Sequence, residues 1–590
     1  MTARSRPMLG SWRRRLTLVF GVMAAVVLAF VVRLVFVQIV DAPALDAEAE
    51  GKRSVPITLK AVRGSIVDRS GNVLAQTTQR YRLVVDQTIV GDAAVHTDDG
   101  VETWTLDQIV ARIAEITGRD EARVSAALTG TSRYSVVADG LDADQYTRLS
   151  DLEVSWFVLE TEAHRTYPSG AVAGNLLGFV GSDENAQAGI ELMEDSCLSG
   201  TDGEQTYERS ADGVRIPGTT VTEQPVVDGG TVTTTIDRDL QWYVQQKITE
   251  RQKELGSQWI AVTVLDAKTG DILVAAETPS VDPNDVSASK EQDRGSRIFQ
   301  STYEPGSPVK SITMAAAIEH GGVGPETQYT IGPSAQVPGT SHVIKDAWEH
   351  GTLRLTSTGI LMDSSNIGIM QVGDTIDDAT RYEYLERFGI GQKTAVGFPA
   401  ESAGILADSS DWDAISHYTT MFGQGIAATP IQIASAYQAI ANDGVRISPR
   451  LVKSCTAADG TVTETPQAEG VQVMSSETAR TLRGMLVPLF TEHTGTTAQI
   501  AGYSLAGKTG TSQIAGTNGG YLDDQYVTSL FGMAPAGDPR YVVGITIYNP
   551  STEKTSSNTM SLFHDVMAQT LITNDVTPAT GELPAYKTSW

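Results

Sequence analysis

The stretch Glu304-Pro305-Gly306-Ser307-Pro308-Val309-Lys310 marks the start of a helix and places two reactive side chains close together. Residues 304–306 have the composition of a turn, so Ser307 falls at the N-cap and Pro308 at the first helical position. The apolar pattern of the next residues predicts a helix over 308–320. Residues three apart share a helix face, so the Lys310 amine can reach the Ser307 hydroxyl and activate it as a nucleophile. Standing alone, the same motif is more often a capped helix with a solvated lysine.

A second motif, Ser364-Ser365-Asn366, offers a hydroxyl and an amide. Ser364 can relay a proton between Lys310 and a leaving group, and Asn366 can hydrogen-bond a substrate carbonyl. Taken by itself, such a tripeptide is more often a turn or a helix cap.

A third motif, Lys508-Thr509-Gly510, opens a strand-like segment. Lys508 can attract a substrate carboxylate, and Gly510 lets the backbone approach closely. Residues 502–509 also satisfy the phosphate-binding pattern G-x-x-x-x-G-K-T. We reject that interpretation because residues 510–520 are a poor helix and because the N-terminal sequence places this region outside the cytoplasm.

Other mechanisms find less support in the residues. Ser307 does not lie in G-x-S-x-G, which argues against an α/β-hydrolase. The eight histidines form no H-E-x-x-H, and no cysteine spacing suits a metal, so we expect no metal and no cofactor. The three motifs in one order therefore predict a serine acyltransferase, with Ser307 forming an acyl-enzyme.

The N-terminus predicts a membrane anchor. Residues 16–40 are almost continuously apolar, interrupted by Arg33, and are long enough to cross a bilayer. Arginines precede this run and acids come after it, so we expect a cytoplasmic N-terminus and an extracytoplasmic body at the cell membrane. A cleaved signal peptide is the competing interpretation, because Ala42-Pro43-Ala44 loosely resembles a cleavage site.

The rest of the chain predicts an α+β protein. Up to about residue 230 the pattern is one of short strands and loops, with a helix over 106–116 and a long surface loop over 189–218. From residue 257 a strand hairpin, several helices, a further strand over 541–547 and a last helix indicate an antiparallel sheet flanked by helices.

The net charge restricts the classes of partner that we expect, and the two cysteines leave one disulfide possible. The net charge is −27, although residues 1–40 hold six arginines and no acid. An acidic body of this kind repels the phosphate backbone, so we expect no nucleic acid partner. The sequence leaves open whether Cys197 and Cys455 pair, and it leaves the oligomeric state open as well.

The motifs resemble those of class B penicillin-binding proteins, the peptidoglycan D,D-transpeptidases. Similar signatures extend over roughly residues 30–570. They are Arg63-Gly-Ser-Ile-Val-Asp-Arg69, Arg165-Thr-Tyr-Pro168, Gly189-Ile-Glu191, Thr235-Ile-Asp237, Gly423-Gln-Gly425 and the run from Ala436 to Arg446. The last of these is most similar to division-specific, FtsI-like enzymes of actinobacteria. Two residues depart from the common pattern, Pro308 for threonine and Ser512 for alanine, and neither change removes a functional group.

This resemblance implies cross-linking of stem peptides that end in D-Ala-D-Ala, and binding of β-lactams. It implies oxyanion-stabilising N–H groups at Ser307 and Thr511. The implied catalytic residues are Ser307, Lys310 and Ser364, and the implied substrate-binding residues are Asn366, Lys508, Thr509, Gly510 and Thr511.

The resemblance also implies an order of domains. The expected parts are a cytoplasmic tail (1–15), a transmembrane anchor (16–40), an elongated β-rich pedestal similar to the dimerisation domain of this class (41–230), a transpeptidase domain (231–575) and a C-terminal tail (576–590). Since residues 41–230 lack the size and character of a glycosyltransferase, a separate glycosyltransferase and division proteins are expected partners.

Three alternatives stay open at this point. The enzyme can serve elongation rather than division. The same serine can belong to a β-lactam sensor that acylates without transpeptidation. Finally, the chain can be a structural scaffold of a division complex.

Overall fold

The computed structural model describes residues 9–97, 100–181, 184–210, 216–493, 495–516, 519–578 and 583–590. Parts of the predicted tails 1–15 and 576–590 therefore lie outside the described residues. The chain forms two units, one from residues 1–61 and 200–228, the other from 62–199 and 229–590.

The first unit carries the apolar N-terminal segment. Helix Leu9–Val35 continues into a π-helical turn, Phe36–Val40, and is succeeded by helix Ala42–Arg53. Over residues Trp12–Val40 it is long and apolar enough to cross a membrane, and it is unburied. The unit also holds an antiparallel three-stranded sheet, ordered Ser54–Leu59, Gly203–Glu208, Val221–Gln224.

The second unit is built around a five-stranded antiparallel sheet. In spatial order its strands are Ile272–Thr278, Trp259–Asp266, Tyr541–Tyr548, Tyr521–Ala534 and Ala506–Ala515. The first two form the predicted hairpin. Side chains alternate between two hydrophobic clusters, with Ile260, Val262 and Val264 in one and Ala261 and Leu265 in the other, so helices must cover both faces.

Helices cover each face of this sheet. Arg238–Leu255 and Met560–Thr573 contribute to one cluster, and Lys310–His320, Pro430–Ala441 and Ser476–Leu486 contribute to the other. The remaining α-helices among the described residues of 290–500 are Arg297–Gln300, Ser357–Asp363, Asn366–Gly373, Asp378–Arg387 and Ala414–Thr419. The predicted α+β architecture, an antiparallel sheet flanked by helices, is confirmed.

A second sheet links early and late parts of this unit. Its strands run in the order Val462–Glu464, Val452–Thr456, Thr231–Thr234, Ile66–Val67, Val73–Val85 and Ser135–Leu141, and Val158–Thr166 also pairs with Val73–Val85. Helices Leu106–Thr117, Glu121–Leu128 and Ala143–Ser150 pack beside it. The first of them confirms the predicted helix over 106–116, and Thr105 starts it with a capping box.

The prediction of a surface loop over 189–218 is wrong for its first part and for residues Gly203–Glu208, which form a strand, while residues 211–215 lie outside the described residues. Residues Gly189–Met193 and Asp195–Leu198 are helical. The cause is Glu191, whose side chain is fully buried between the guanidinium groups of Arg63 and Arg165, each at 2.7 Å. Tyr167 also donates to it, at 3.0 Å. A buried carboxylate that is paired in this way holds its backbone in place despite the polar, glycine-rich local sequence.

The two cysteines pair. Cys197, in helix Asp195–Leu198, is bonded to Cys455 in strand Val452–Thr456, with Cα atoms 6.1 Å apart and a sequence separation of 258 residues. The bond joins the N-terminal part of the second unit to its C-terminal part.

We expect Cys455→Ser to lower the free energy of unfolding of the second unit by up to about 5 kcal/mol, because the bond closes a very long loop in the unfolded chain. Guanidinium unfolding of the variant and wild type measures this loss. The double variant with Cys197→Ser is the control and should match the single one. Two titratable thiols in the unreduced wild-type protein would contradict the pairing.

Candidate active site

Ser307 begins the helical segment, but it does not cap it. Gly306, at φ 63°, is the N-cap of a 3-10 turn, Ser307–Val309, which leads into helix Lys310–His320. The predicted N-cap role of Ser307 is therefore wrong, because the chain enters the helix through a left-handed glycine. The hydroxyl of Ser307 is instead free to bond across the site.

Ser364 provides that bond. It comes directly after helix Ser357–Asp363 and adopts a left-handed backbone, φ 60°. Its Oγ donates to Ser307 Oγ at 2.8 Å. Non-glycine residues in this conformation are strained and concentrate at functional sites. Two residues that lie 57 apart in the sequence are thus in direct contact, as their predicted roles require.

Lys310 is the third member of this hydrogen-bonded group. Its Nζ donates to Ser364 Oγ at 3.3 Å and to the Ser364 carbonyl oxygen, so it reaches Ser307 through Ser364 rather than directly. The side chain is fully buried. Burial, reinforced by the positive charge of Lys508 and opposed by Asp346, holds the pKa of Lys310 well below its usual value. A neutral amine in this position can accept a proton.

The third motif lies on strand Ala506–Ala515, at the edge of the five-stranded sheet. Lys508 is fully buried, and burial lowers its pKa to about 7, opposed by the charge of Asp363. Thr509 is nearly buried, and Thr511 is exposed on the same strand. At Gly510 a Cβ would lie 2.7 Å from Pro308 Cδ, so only glycine lets this strand approach the turn that carries Ser307.

The predicted residue Asn366 is held by a carboxylate that no sequence motif marks. Its side-chain amide donates to the carbonyl of Lys345 at 3.0 Å. Asp346, whose side chain is fully buried, accepts hydrogen bonds from the Asn366 backbone N–H and from Ser365 Oγ, the latter at 2.7 Å. A negative charge here also suits the N-terminus of helix Asn366–Gly373.

His350 adds a further partner to Asp346. Its Nε2 lies 3.0 Å from Asp346 Oδ2, and its ring is almost fully buried. No local pattern marks Asp346 or His350 in the sequence. Asp346 binds residues of the Ser-x-Asn motif, which lies further along the chain, and His350 binds Asp346.

Glu304 connects two parts of the site, the backbone at Gly425 and the strand that carries Tyr521. Its sequence context indicates only a turn. Its carboxylate accepts from the N–H of Gly425 and from the hydroxyl of Tyr521, both at 2.9 Å. Burial raises its pKa. Its carbonyl accepts from Ser512 Oγ at 2.7 Å, so the serine that departs from the common alanine ties the Lys-Thr-Gly strand to the turn before Ser307.

The site as a whole unites all three motifs. Ser307, Lys310 and Ser364 form one hydrogen-bonded group, and the strand of Lys508 lies against the turn that carries Ser307. Within the described residues no group of three or more His, Cys, Asp or Glu side chains is arranged to hold a metal. The arrangement suits nucleophilic attack by a serine on a substrate that carries a negative charge.

We expect the second-order rate of acylation by a penicillin to fall as pH rises above about 7. A lysine with a lowered pKa keeps its proton only below that pKa, so the free protein then loses the Lys508 charge that attracts the penicillin carboxylate. Neutral Lys310 is the active form and adds no fall in this range. Fluorescence kinetics from about pH 6 to about pH 9 would measure the profile.

The matched variant for this profile is Lys508→Arg, whose guanidinium stays charged throughout. Its rate should be lower but should not fall above about pH 7. A wild-type rate that stays constant over the same range would contradict the assignment.

Known proteins match this chain over most of its length. Residues 260–568 match the family described as penicillin binding protein transpeptidase domain, and residues 58–234 match the penicillin-binding protein dimerisation domain. The chain is 36% identical over 589 residues to penicillin-binding protein PbpB of Mycolicibacterium smegmatis, covering 94% of this chain and 89% of that protein. It is 28% identical over 556 residues to peptidoglycan D,D-transpeptidase FtsI of Escherichia coli, covering 93% and 90%.

Solved structures agree with the sequence relatives. Penicillin-binding protein 3 of Mycobacterium tuberculosis, in complex with aztreonam, superposes with a TM-score of 0.69 at 30% identity, covering 90% of this chain and 100% of that one. A peptidoglycan synthetase from Bifidobacterium adolescentis gives a TM-score of 0.72 at 29% identity, covering 91% and 100%.

Proposed function

Since this chain belongs to the class B penicillin-binding proteins, we propose that its site works as a peptidoglycan D,D-transpeptidase with the acyl-enzyme on Ser307. Ser307 Oγ attacks the carbonyl of the penultimate D-alanine, and the amide bond to the last D-alanine breaks. The D-alanine leaves with a proton. An amine from a second stem peptide then attacks the ester, forms the cross-link, and returns a proton to Ser307.

The hydrogen-bonded group of Ser307, Ser364 and Lys310 carries this proposal. In the resting site the hydrogen bonds run from Lys310 to Ser364 and from Ser364 to Ser307. A hydroxyl can donate and accept, so both bonds reverse on attack and neutral Lys310 accepts the Ser307 proton through Ser364. Ser364 then delivers the proton to the leaving amine. Burial lowers the pKa of Lys310, which favours the neutral form that this step requires.

The strand that carries Lys508 binds the substrate. The Lys508 ammonium, with the hydroxyls of Thr509 and Thr511, holds the terminal carboxylate of the donor, which the carboxylate of a β-lactam mimics. Gly510 permits the close approach of the strand, and Asn366 bonds a substrate carbonyl. The N–H groups of Ser307 and Thr511 stabilise the oxyanion. No metal or cofactor takes part in this scheme.

We extend the proposal to domain order and topology. Residues 16–40 anchor the chain in the cell membrane, with the tail 1–15 in the cytoplasm and the catalytic domain, 231–575, outside it. Residues 41–230 form the pedestal. The long apolar helix over Trp12–Val40 supports the anchor.

We also propose a role in septal wall synthesis, alongside a separate glycosyltransferase and division proteins. The resemblance to PbpB and FtsI supports division over elongation. A β-lactam sensor shares the acylation step, so the two functions differ only in whether the acyl group is then transferred to an acceptor.

A transfer assay separates the enzyme from the sensor. The full chain in detergent is given a thioester analogue of the donor and D-alanine as acceptor, and the transfer product is measured. Turnover that depends on Ser307 supports the transpeptidase. Covalent labelling by penicillin without any turnover of the thioester would favour the sensor.

A further inference from the structure

Residues 583–590 pack against the second unit, although the sequence marks them only as part of a tail. Leu583 and Tyr586 are partly buried against the main hydrophobic cluster. The Trp590 ring lies 5.1 Å from the Arg354 guanidinium, and its Nε1 donates to the carbonyl of Tyr329 at 3.3 Å. Both apolar and polar contacts therefore hold this stretch, the 583–590 segment.

The segment extends a small sheet next to the active site. Strands Gln328–Ile331 and Leu353–Thr356 pair with each other, and Ser589 forms an antiparallel bridge to Leu355. The Thr356 N–H donates to the carbonyl of Thr588 at 3.1 Å, and Thr356 Oγ1 donates to the carbonyl of Lys587 at 2.5 Å. Main-chain carbonyl groups of the segment thus accept hydrogen bonds from both the N–H and the hydroxyl of Thr356.

Thr356 is also the N-cap of helix Ser357–Asp363, where its Oγ1 accepts from the Gly359 N–H at 3.1 Å. A Cβ at Gly359 would lie 1.9 Å from the carbonyl oxygen of Thr588. Glycine inside a helix is less favourable than alanine. The passage of the segment across this helix accounts for a glycine that helix stability alone disfavours.

A second helix shows the same feature. At Gly484, in helix Ser476–Leu486, a Cβ would lie 2.9 Å from the Tyr586 ring and 3.0 Å from the carbonyl oxygen of Pro584. Two separate helices therefore have glycine where the segment crosses them. The two glycines leave room for the segment on the surface of these helices.

We propose that the 583–590 segment is a positioning element of the active site, which fixes helix Ser357–Asp363 and through it the catalytic Ser364. The inference rests on the proposed function, since its effect is on acylation of Ser307. Ser364 comes directly after this helix, and its Oγ lies 2.8 Å from Ser307 Oγ. A shift of the helix therefore displaces the proton relay, while Lys508 sits on a strand of the five-stranded sheet and keeps its place.

The test compares two rate constants in the full chain with a fluorescent penicillin. We expect Gly359→Ala to lower the limiting rate of acylation by ~10- to 100-fold, the scale for a reacting group misplaced by about 1 Å. The dissociation constant of the non-covalent complex should change by less than about threefold, because carboxylate binding is untouched. A general loss of structure would change both.

A double-mutant cycle makes the test specific. Deleting residues 583–590 should slow acylation to a similar degree, and adding Gly359→Ala to that deletion should cause no further loss, because the clash partner is gone. Gly91→Ala, where a Cβ meets open space, is the matched control and should acylate like the wild type.

Wild-type limiting rates in both Gly359→Ala and the deletion variant would overturn the inference, as would losses that multiply when the two changes are combined. If the deletion variant does not fold, Trp590→Ala replaces it; the Thr588 carbonyl remains in that variant, so the criterion is then the limiting rate alone, and wild-type rates in both Trp590→Ala and Gly359→Ala would overturn the inference. Failure of the proposed function is distinguishable, since the unmodified protein would then form no Ser307 adduct with penicillin, or would form that adduct without turning over the thioester donor.

Discussion

Replacing Ser307 by alanine is expected to abolish covalent labelling by a fluorescent penicillin. The mechanism assigns the acyl group to Ser307 Oγ, and Ser364, which contacts that atom, acts as a proton relay rather than as a nucleophile. Non-covalent binding should persist, since Lys508 and its strand are unchanged. Gel fluorescence after denaturation measures the adduct, and a thermal shift with penicillin measures the binding that is left.

The control for this experiment is Ser334→Ala, which removes a hydroxyl from an exposed residue and should label normally. Labelling of Ser307→Ala at the wild-type level would refute the assignment of the nucleophile. Loss of both labelling and non-covalent binding would indicate a damaged fold rather than a missing nucleophile.

Replacing Lys310 by alanine is expected to slow acylation by ~10²–10⁴-fold, the usual contribution of a general base. The variant loses the amine that receives the Ser307 proton through Ser364. Lys310→Arg is the informative companion: it keeps a positive charge and a long side chain, but a guanidinium does not give up its proton. We expect it to be as slow as the alanine variant.

Stopped-flow measurement of the acylation rate checks this prediction, with intact mass used to confirm the adduct. An alanine variant that acylates at the normal rate would refute the role of Lys310. A fast Lys310→Arg variant together with a slow alanine variant would show that charge, rather than proton transfer, is what the site requires.

The sequence predicted the three motifs that the structure brings together, because each motif consists of residues that are near one another in the chain. Ser307 and Lys310 are three residues apart, so a helix alone brings them to one side. The hairpin over Trp259–Asp266 and Ile272–Thr278 was likewise predictable, since β-branched runs and a short turn are local signals.

The features that the sequence missed depend on contacts between distant residues. Asp346 has no motif of its own, and its role appears only when the Ser-x-Asn turn folds onto it. Gly306 takes the capping position predicted for Ser307 because the chain arrives in a left-handed conformation that composition does not reveal. The helices found in place of the predicted loop near Glu191 form because that carboxylate is buried between two arginines.

The disulfide and the packing of the 583–590 segment also depend on contacts between residues that are distant in the sequence. Cys197 and Cys455 lie 258 residues apart, and their pairing depends on the second sheet, which brings strand Val452–Thr456 beside Thr231–Thr234. The contact between Gly359 and Thr588 likewise joins a mid-chain helix to a late segment. Such pairs leave no signal in a short stretch of sequence.

An acyl-enzyme on Ser307, formed from a stem peptide, is the species on which the proposed function depends. The most direct test incubates the full chain with a donor peptide that ends in D-Ala-D-Ala, quenches in acid, digests with protease and analyses the fragments by mass spectrometry. We predict that the fragment with Ser307 gains the mass of the donor acyl group as free D-alanine appears. Release of D-alanine with the acyl group on another residue, or with no adduct in the quenched protein, would contradict this mechanism.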